Sequence, residues 1–382
     1  MKIVYITNQR MPTDKAHGIQ IAKMCEAFTN LGANVYLIAP FRISDIKEDF
    51  FDYYSVKKSF RFKKIFSPDF YLPGILDKVA FVVKNFISAL VLAVYTLFLK
   101  PYIVYSRDEP VVFLLSFFMK SHKLVFEAHK FPRSRLFFYR RFKKKNLKIV
   151  TISHGLESEF IKLGFKQENI AVAPDGVDIE QFDIGGTKEE FRKKLDLPQD
   201  KKIILYAGHL FDWKGIDTLF SAAEYFDDDR LIVVVGGTEA DLKKHKLKLN
   251  DRQFKNRIKM LGHKTHKLIP VFLKASDVLV LPNSGKEAVS RSFTSPLKLF
   301  EYMASKRPIV ASDLLSIREI LDENSAILVK PDDPVSLAEG IEKALRDNVL
   351  SDKISYNAFE KVRRYSWSNR ARDILSVINK KQ

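Results

Sequence analysis

The stretch Leu281 to Asp313, LPNSGKEAVSRSFTSPLKLFEYMASKRPIVASD, holds residue types at spacings suited to gripping an anion. Ser295 is a helix N-cap by type, Pro296 suits the first helical position, and Leu297, Leu299, Phe300, Met303 and Ala304 give the following turns an apolar face. A helix beginning at Ser295 aims its free amides and the positive end of its dipole back into the loop Asn283 to Thr294, a geometry that receives phosphate. Glu301 follows nearly two turns later, where a carboxylate accepts hydrogen bonds from vicinal hydroxyls such as those of a ribose. The same residues also fit a plain cap and a solvated surface acid.

Other candidates stand at the ends of expected strands. The loop Gly208-His209-Leu210-Phe211-Asp212-Trp213-Lys214-Gly215 follows the apolar run Ile203 to Tyr206 and delivers Lys214 at a helix start, as a diphosphate clamp requires. Gly236-Gly237 after the next strand permits close backbone approach, or simply makes a tight turn. In the first half, the loop Thr7 to His17, with Asn8, His17 and Gly18, follows the strand Ile3 to Ile6; it is either a ligand-facing edge or an ordinary connection. His129 follows the strand Leu124 to Glu127 and is the best titratable candidate of that half, although a lone histidine after a strand is more often a structural hydrogen-bonder. From Lys130 to Lys148 there are nine basic residues and no acid, interleaved with Phe131, Phe137, Phe138, Tyr139 and Phe142. Arg140, Arg141, Lys143, Lys144 and Lys145 are its densest part and suit an anionic membrane surface or a phosphorylated lipid. A solvated basic helix is the plainer reading. Nucleic acid meets the electrostatic condition, but no recognition motif supports it and no nucleic-acid partner is expected.

These residues need two α/β domains to hold them. A chain of 382 residues is long for one domain, and strands alternating with helical patterns imply parallel sheets with ligands at the strands' carboxyl ends. The expected division is 1–182, a polar linker 183–200 marked by Gly185-Gly186 and Pro198, a second domain 201–365, and a terminal helix 366–382 packing back on the first. Residues 41–76 show no clear period. Val79 to Leu99 carries only Lys84 as a charge and is long enough to span a bilayer. A span would separate the strands at 35–38 and 103–105, so the expectation is a helix packed on their sheet with one face open to shallow membrane contact. The lone cysteine, Cys25, excludes a disulfide framework, and MKIVYIT is too short for a signal peptide, so a cytoplasmic chain is expected. Of the net charge of +18, residues 1–180 hold +11, from 28 Lys+Arg against 17 Asp+Glu, which places an anionic partner on the amino-terminal side.

Taken together, Pro174-Asp175-Gly176-Val177-Asp178, Tyr206-Ala207-Gly208 through Lys214-Gly215, Lys259-Met260-Leu261-Gly262, Ala275-Ser276-Asp277 and Ser295 to Ala304 resemble the retaining glycosyltransferases of family 4. The resemblance spans nearly the whole chain and implies the GT-B architecture, two Rossmann-like domains facing across a cleft. It further implies that Lys214 binds the donor diphosphate, Glu301 the ribose, the backbone near Gly262 the base, and His129 the reacting end of the sugar. With the local readings, the expected donor-binding set is Gly18, Gly208, His209, Lys214, Gly262, Thr294, Ser295, Pro296, Leu297 and Glu301, with His129 and Lys214 catalytic. Two positions depart from the family pattern: Phe293 stands where an acid is usual, and His209 where an arginine is usual. Lys286 and Glu287 are nearby candidates for the sugar contacts. The expected activity is sugar transfer from a nucleotide donor to a lipid-linked or polysaccharide hydroxyl, with retention, at the inner face of the cell membrane. No metal or other cofactor is expected, the nucleotide sugar being a substrate. The competing expectation is a non-catalytic lipid- or glycan-binding protein on the same fold.

Overall fold

The computed structural model describes residues 1–74, 76–131, 133–250 and 253–379. The chain divides into two compact units, Met1–Pro174 with Trp367–Gln382, and Asp175–Ser366.

The first unit is built on seven strands, β1 (Lys2–Ile6), β2 (Asn34–Pro40), β3 (Arg61–Ile65), β4 (Ile103–Ser106), β5 (Leu124–Ala128), β6 (Lys148–Thr151) and β7 (Ile170–Val172), all parallel in the order β3-β2-β1-β4-β5-β6-β7. Helices cover both faces, which is why the central strands read as unbroken apolar runs. Val4, Ile6, Val104, Phe126 and Ile149 meet Leu92, Val111, Phe142 and Phe160 in one core cluster. β3 was not legible in the sequence. It is an edge strand whose RFKKI carries exposed Arg61, Lys63 and Lys64, charges that protect an open edge and erase the apolar signature of a strand.

The second unit has six parallel strands, β8 (Lys202–Ala207), β9 (Arg230–Val235), β10 (Ile258–Gly262), β11 (Val278–Leu281), β12 (Ile309–Ser312) and β13 (Ile327–Val329), in the order β10-β9-β8-β11-β12-β13. The chain builds outward from β8 to β10, then returns to place β11 on the other side of β8. The carboxyl ends of β8 and β11 therefore flank the point where the winding reverses, the place at which such sheets hold ligands. In the first unit the same point lies between β1 and β4.

The first unit ends at Pro174 rather than at 182, the linker expectation changes, and the terminal helix packs back on the first unit as expected. Residues 183–200 are no free linker: they carry the helix Lys188–Lys194, started by a Thr187–Glu190 capping box, and belong to the second unit. Its Arg192 donates to the Ala275 carbonyl at 2.9 Å and pairs with Asp277 at 2.5 Å. The helix Trp367–Asn379 belongs to the first unit and packs on the helix Ala16–Asn30. Leu76–Leu99 is a single helix, long and apolar enough by composition to cross a membrane, but β3 before it and β4 after it lie in one sheet, so both its ends stay on the same side.

Candidate functional site

In the second unit the site grows from the end of β8. Gly208 (φ +139°) closes the strand, a single turn Asp212–Lys214 follows, and Gly215 enters the left-handed region at φ +71° before the helix Ile216–Ala222. A side chain at Gly215 would lie 1.7 Å from the Pro282 carbonyl oxygen, so glycine is what lets this turn sit against the exit of β11. The rings of His209 and Phe211 stack at 5.2 Å, and the Lys214 ammonium lies 3.8 Å from the Trp213 ring centre. Burial alone brings the Lys214 pKa down to about 7. No carboxylate among the described residues pairs with it.

A second cation, Lys298, is brought to the same place by the helix Leu297–Ala304. It is 8% exposed, its ammonium lies 3.7 Å from the Tyr206 ring centre, and Nζ has no hydrogen-bond partner among the described residues. Its pKa falls well below the usual lysine range, first through burial and then through Lys214, with Glu301 pulling the other way. A Cβ on Gly208 would make ordinary contact with the Lys298 stem at 3.6 Å, so that side chain lies beside the bare backbone at the end of β8. Lys298 is buried and Lys214 half-buried, the ammonium form of each disfavours that of the other, and an anion placed between or beside them would favour both. Asn283, also fully buried, leaves both Oδ1 and Nδ2 without partners among the described residues, just after β11.

The start of this helix differs from the expected one. Ser295 does not cap it: the helix begins at Leu297 with Pro296 at the cap position, while Ser295 Oγ accepts from the Asp175 amide at 3.0 Å. Proline there forces an extended backbone and leaves the serine pointing to the Pro174–Asp178 segment instead. Thr294 is half-buried just before it, and Phe293 ends a short π-helical turn, Val289–Phe293, inside the loop expected to be irregular. Glu301 is no solvated surface acid. Its Oε1 accepts from His266 Nε2 at 2.9 Å, and His266 Nδ1 faces Gln181 Nε2 at 3.3 Å. Gly262 ends β10, with its carbonyl accepting from the Gly236 amide at 2.8 Å, so bare backbone runs along the carboxyl edge from β8 to β10.

In the first unit His129 leaves β5 and points Nε2 at the fully buried Glu127, 2.6 Å away. The same Glu127 oxygen accepts from Gln20 Nε2 and Arg370 Nη2, each at 2.7 Å. Burial acts to raise the Glu127 pKa, but Arg370 and then His129 outweigh it and hold the carboxyl well below its usual range. A carboxylate so fixed orients the imidazole. His17 is kept neutral, its pKa lowered to about 3 by burial, Arg107, Lys15 and His129 in that order. Gly18 is not a loop glycine: it lies inside the first turn of the helix Ala16–Asn30, buried, where a side chain would meet Tyr54 Oη at 2.2 Å. It packs against Tyr54 and Thr13 at the start of that helix.

The basic segment also splits. Phe138, Tyr139 and Phe142 are core residues of the helix Leu136–Lys144, while Phe137 is exposed. Arg141 donates to Ser116 and lies 3.9 Å from the Phe117 ring centre, and Lys143 donates to the Leu163 carbonyl, so these two are spoken for by the fold. Arg140 and Lys144 are exposed and Lys145 is half-buried.

Sequence reading missed Lys298, Asn283, His266, Glu127 and Arg370. Lys298 carried one signal, a charge between Leu297 and Leu299 in the most apolar turn of its helix. Arg370 carried none, since it lies 243 positions from its partner.

Two parallel-sheet α/β units, each with its sheet reversal beside the candidate residues, define the GT-B class of fold. Residues 187–361, within the second unit, match the family model of glycosyl transferases group 1. A phosphatidyl-myo-inositol mannosyltransferase of Mycobacterium leprae is 32% identical over 186 residues, 47% of each chain. A D-inositol 3-phosphate glycosyltransferase of Xylanimonas cellulosilytica is 27% identical over 230 residues, 56% of this chain and 52% of its own. The chain thus spans about half the length of the curated relatives it matches. Among solved structures, Anabaena HepE in complex with UDP and glucose is 16% identical, with a TM-score of 0.77 over 100% of both chains.

Proposed function

We propose that the protein is a retaining glycosyltransferase that moves a sugar from a nucleoside diphosphate donor to a hydroxyl of a lipid-linked or glycan acceptor, on the cytoplasmic face of an anionic membrane. The observation that carries this reading is the pair Lys214, half-buried, and Lys298, buried, two cations without a carboxylate partner among the described residues, after the carboxyl end of β8 and in the first turn of the helix Leu297–Ala304. As the bond between the anomeric carbon and the phosphate breaks, negative charge grows on the leaving diphosphate. Preorganised cations in a dry site stabilise that charge more than they stabilise the bound donor, and no metal is required for it. Lys298 takes the place that His209 leaves weak, and Glu301, oriented by His266, offers its second oxygen to the ribose. His129, fixed by Glu127, is the residue we assign to the reacting end of the sugar. HepE binds UDP, and the family match of the second unit extends that ligand class to this chain as the donor's leaving group.

The test is calorimetric titration of UDP, followed by a panel of UDP-sugars scored for transfer or hydrolysis. Lys214→Ala and Lys298→Met are each expected to weaken UDP by about tenfold to a hundredfold, the worth of one charge-assisted hydrogen bond of about 1.5–3 kcal/mol. Unchanged affinity in both folded variants removes the diphosphate assignment. A native chain that binds UDP but turns over no sugar donor returns the reading to a binding protein.

A further inference from the structure

The helix Leu76–Leu99 is built inside out. Its sheet-facing stripe is Ala80, Lys84, Ser88, Leu92 and Thr96, mostly small or polar, and the polar groups are satisfied there: Lys84 pairs with Asp69 at 3.3 Å, and Ser88 Oγ accepts from Arg42 at 2.5 Å. Its outward face carries Phe81, Val82, Phe86, Leu90, Val94 and Phe98, each between 46% and 79% exposed. A helix bounded by water shows the reverse arrangement, and an apolar face of this length marks a surface that water does not normally cover.

Three further observations say what covers it. First, the flanking charge is positive: Lys78 and Lys100 are exposed near its two ends, and Asp77 in the first turn is the helix's only acid. Second, the apolar surface continues beyond the helix. The helix Glu109–Leu115 packs beside it, exposed Phe117 and Phe118 follow, and Phe113 stacks edge-on with exposed Phe137 at 5.8 Å, next to exposed Arg140 and Lys144. Third, the amino-terminal half is tied to the ligand edge of the first sheet. Asn8, at the end of β1, donates Nδ2 to the Asn85 carbonyl at 2.9 Å, and Arg42, just past β2, donates to Ser88.

We propose that this face inserts into the interfacial layer of an anionic bilayer and sets the carboxyl edge of β1 and β2 against the lipid, so that the acceptor is one presented from the membrane. The acceptor clause rests on the proposed function; the docking does not. Cations at the rim meet anionic headgroups while phenylalanine and valine side chains enter the acyl boundary, and the helix lies in the plane because its sheet-facing stripe remains packed.

The experiment is vesicle flotation of the full chain, without donor or acceptor, using phosphatidylcholine alone and phosphatidylcholine with phosphatidylglycerol. The native chain is expected to float with the anionic vesicles. The combined variant Phe81→Ser, Val82→Ser, Phe86→Ser is expected to lose binding by about tenfold or more, since withdrawing several large apolar groups from water contributes at least that factor. Thermal melting and UDP affinity of the variant should match the native values, which separates loss of docking from loss of fold or of the donor site. Undiminished flotation of the folded variant overturns the proposal. So does a native chain that ignores both vesicle types but sediments as a dimer which the three substitutions dissolve, an outcome that assigns the face to a second copy.

Discussion

Lys214 and Lys298 are lysines held where a charge is expensive, and that cost makes their protonation a reporter of what they bind. With its pKa lowered to about 7 by burial, Lys214 is largely neutral in the empty protein above that pH, whereas an unfolded lysine stays charged to about pH 10.4. The native state therefore holds fewer protons than the unfolded one between these values, and this lysine's penalty on stability is present below pH 7 and relieved as pH rises. A diphosphate reverses the balance by favouring the ammonium. UDP binding at pH 8 should accordingly take up a proton, with affinity falling as pH rises from 7 toward 10. Calorimetry in two buffers of different ionisation enthalpy measures the uptake; Lys214→Ala should reduce it, and buffer-independent enthalpy in the native protein would break the argument. At this scale the sequence was half legible. Lys214 declared itself by standing between a strand and a helix after a glycine loop, whereas Lys298 was hidden because a lysine in a helix is ordinarily solvated. Only its position in a turn whose neighbours are buried shows otherwise.

Elements were legible where their period was pure. Most strands of both sheets are apolar runs buried on two faces, and their type needs no tertiary information. β3 failed because edge protection replaced the apolar residues, and the expected start of the helix Leu297–Ala304 failed because Ser295 found a better partner in the Asp175 amide than in its own helix. A cap is a local rule that a tertiary acceptor overrides. The glycine at the turn before the helix Ile216–Ala222 shows the same dependence on surroundings. Gly215 and Gly32 both have positive φ, +71° and +84°, but a side chain at Gly32 meets nothing within 4 Å while one at Gly215 collides with Pro282. Gly32→Ala is expected to cost about 1 kcal/mol, the left-handed penalty alone, and Gly215→Ala at least about 2 kcal/mol together with weakened UDP binding, because the Lys214 turn must move. Urea denaturation of the two variants settles the comparison, and equal losses would mean that the close approach to Pro282 relaxes freely.

At the scale of the whole molecule, the chain leaves the first unit at Pro174, builds the second, and returns to the first at Trp367. Length and alternating pattern were enough to expect two α/β units, but no local signal tells that a residue near position 370 closes a charge network begun at Glu127. The first unit depends on this return. Arg370, 2% exposed in its side chain, pairs with Glu127 at 0%, and also donates to the Pro174 carbonyl at 2.9 Å. Removing one member of a buried pair strands the other, a loss of about 3–5 kcal/mol, where replacing both by well-packed neutral groups costs far less. Arg370→Met should therefore destabilise the first unit strongly at neutral pH, and Glu127→Gln with Arg370→Met should restore part of the loss. The pH dependence follows from the sign of the Glu127 shift. Its native pKa is depressed, so its stabilisation is present above the ordinary carboxyl range and lost as pH falls through the folded value; without Arg370 the pKa rises and the carboxyl takes up its proton earlier. The gap between native and Arg370→Met proteins should narrow as pH falls from the variant's higher Glu127 pKa toward the depressed native one. Differential scanning calorimetry across that range measures it. A gap that stays constant with pH would show that Arg370 holds the returning helix by packing and backbone contacts rather than by the charge of Glu127.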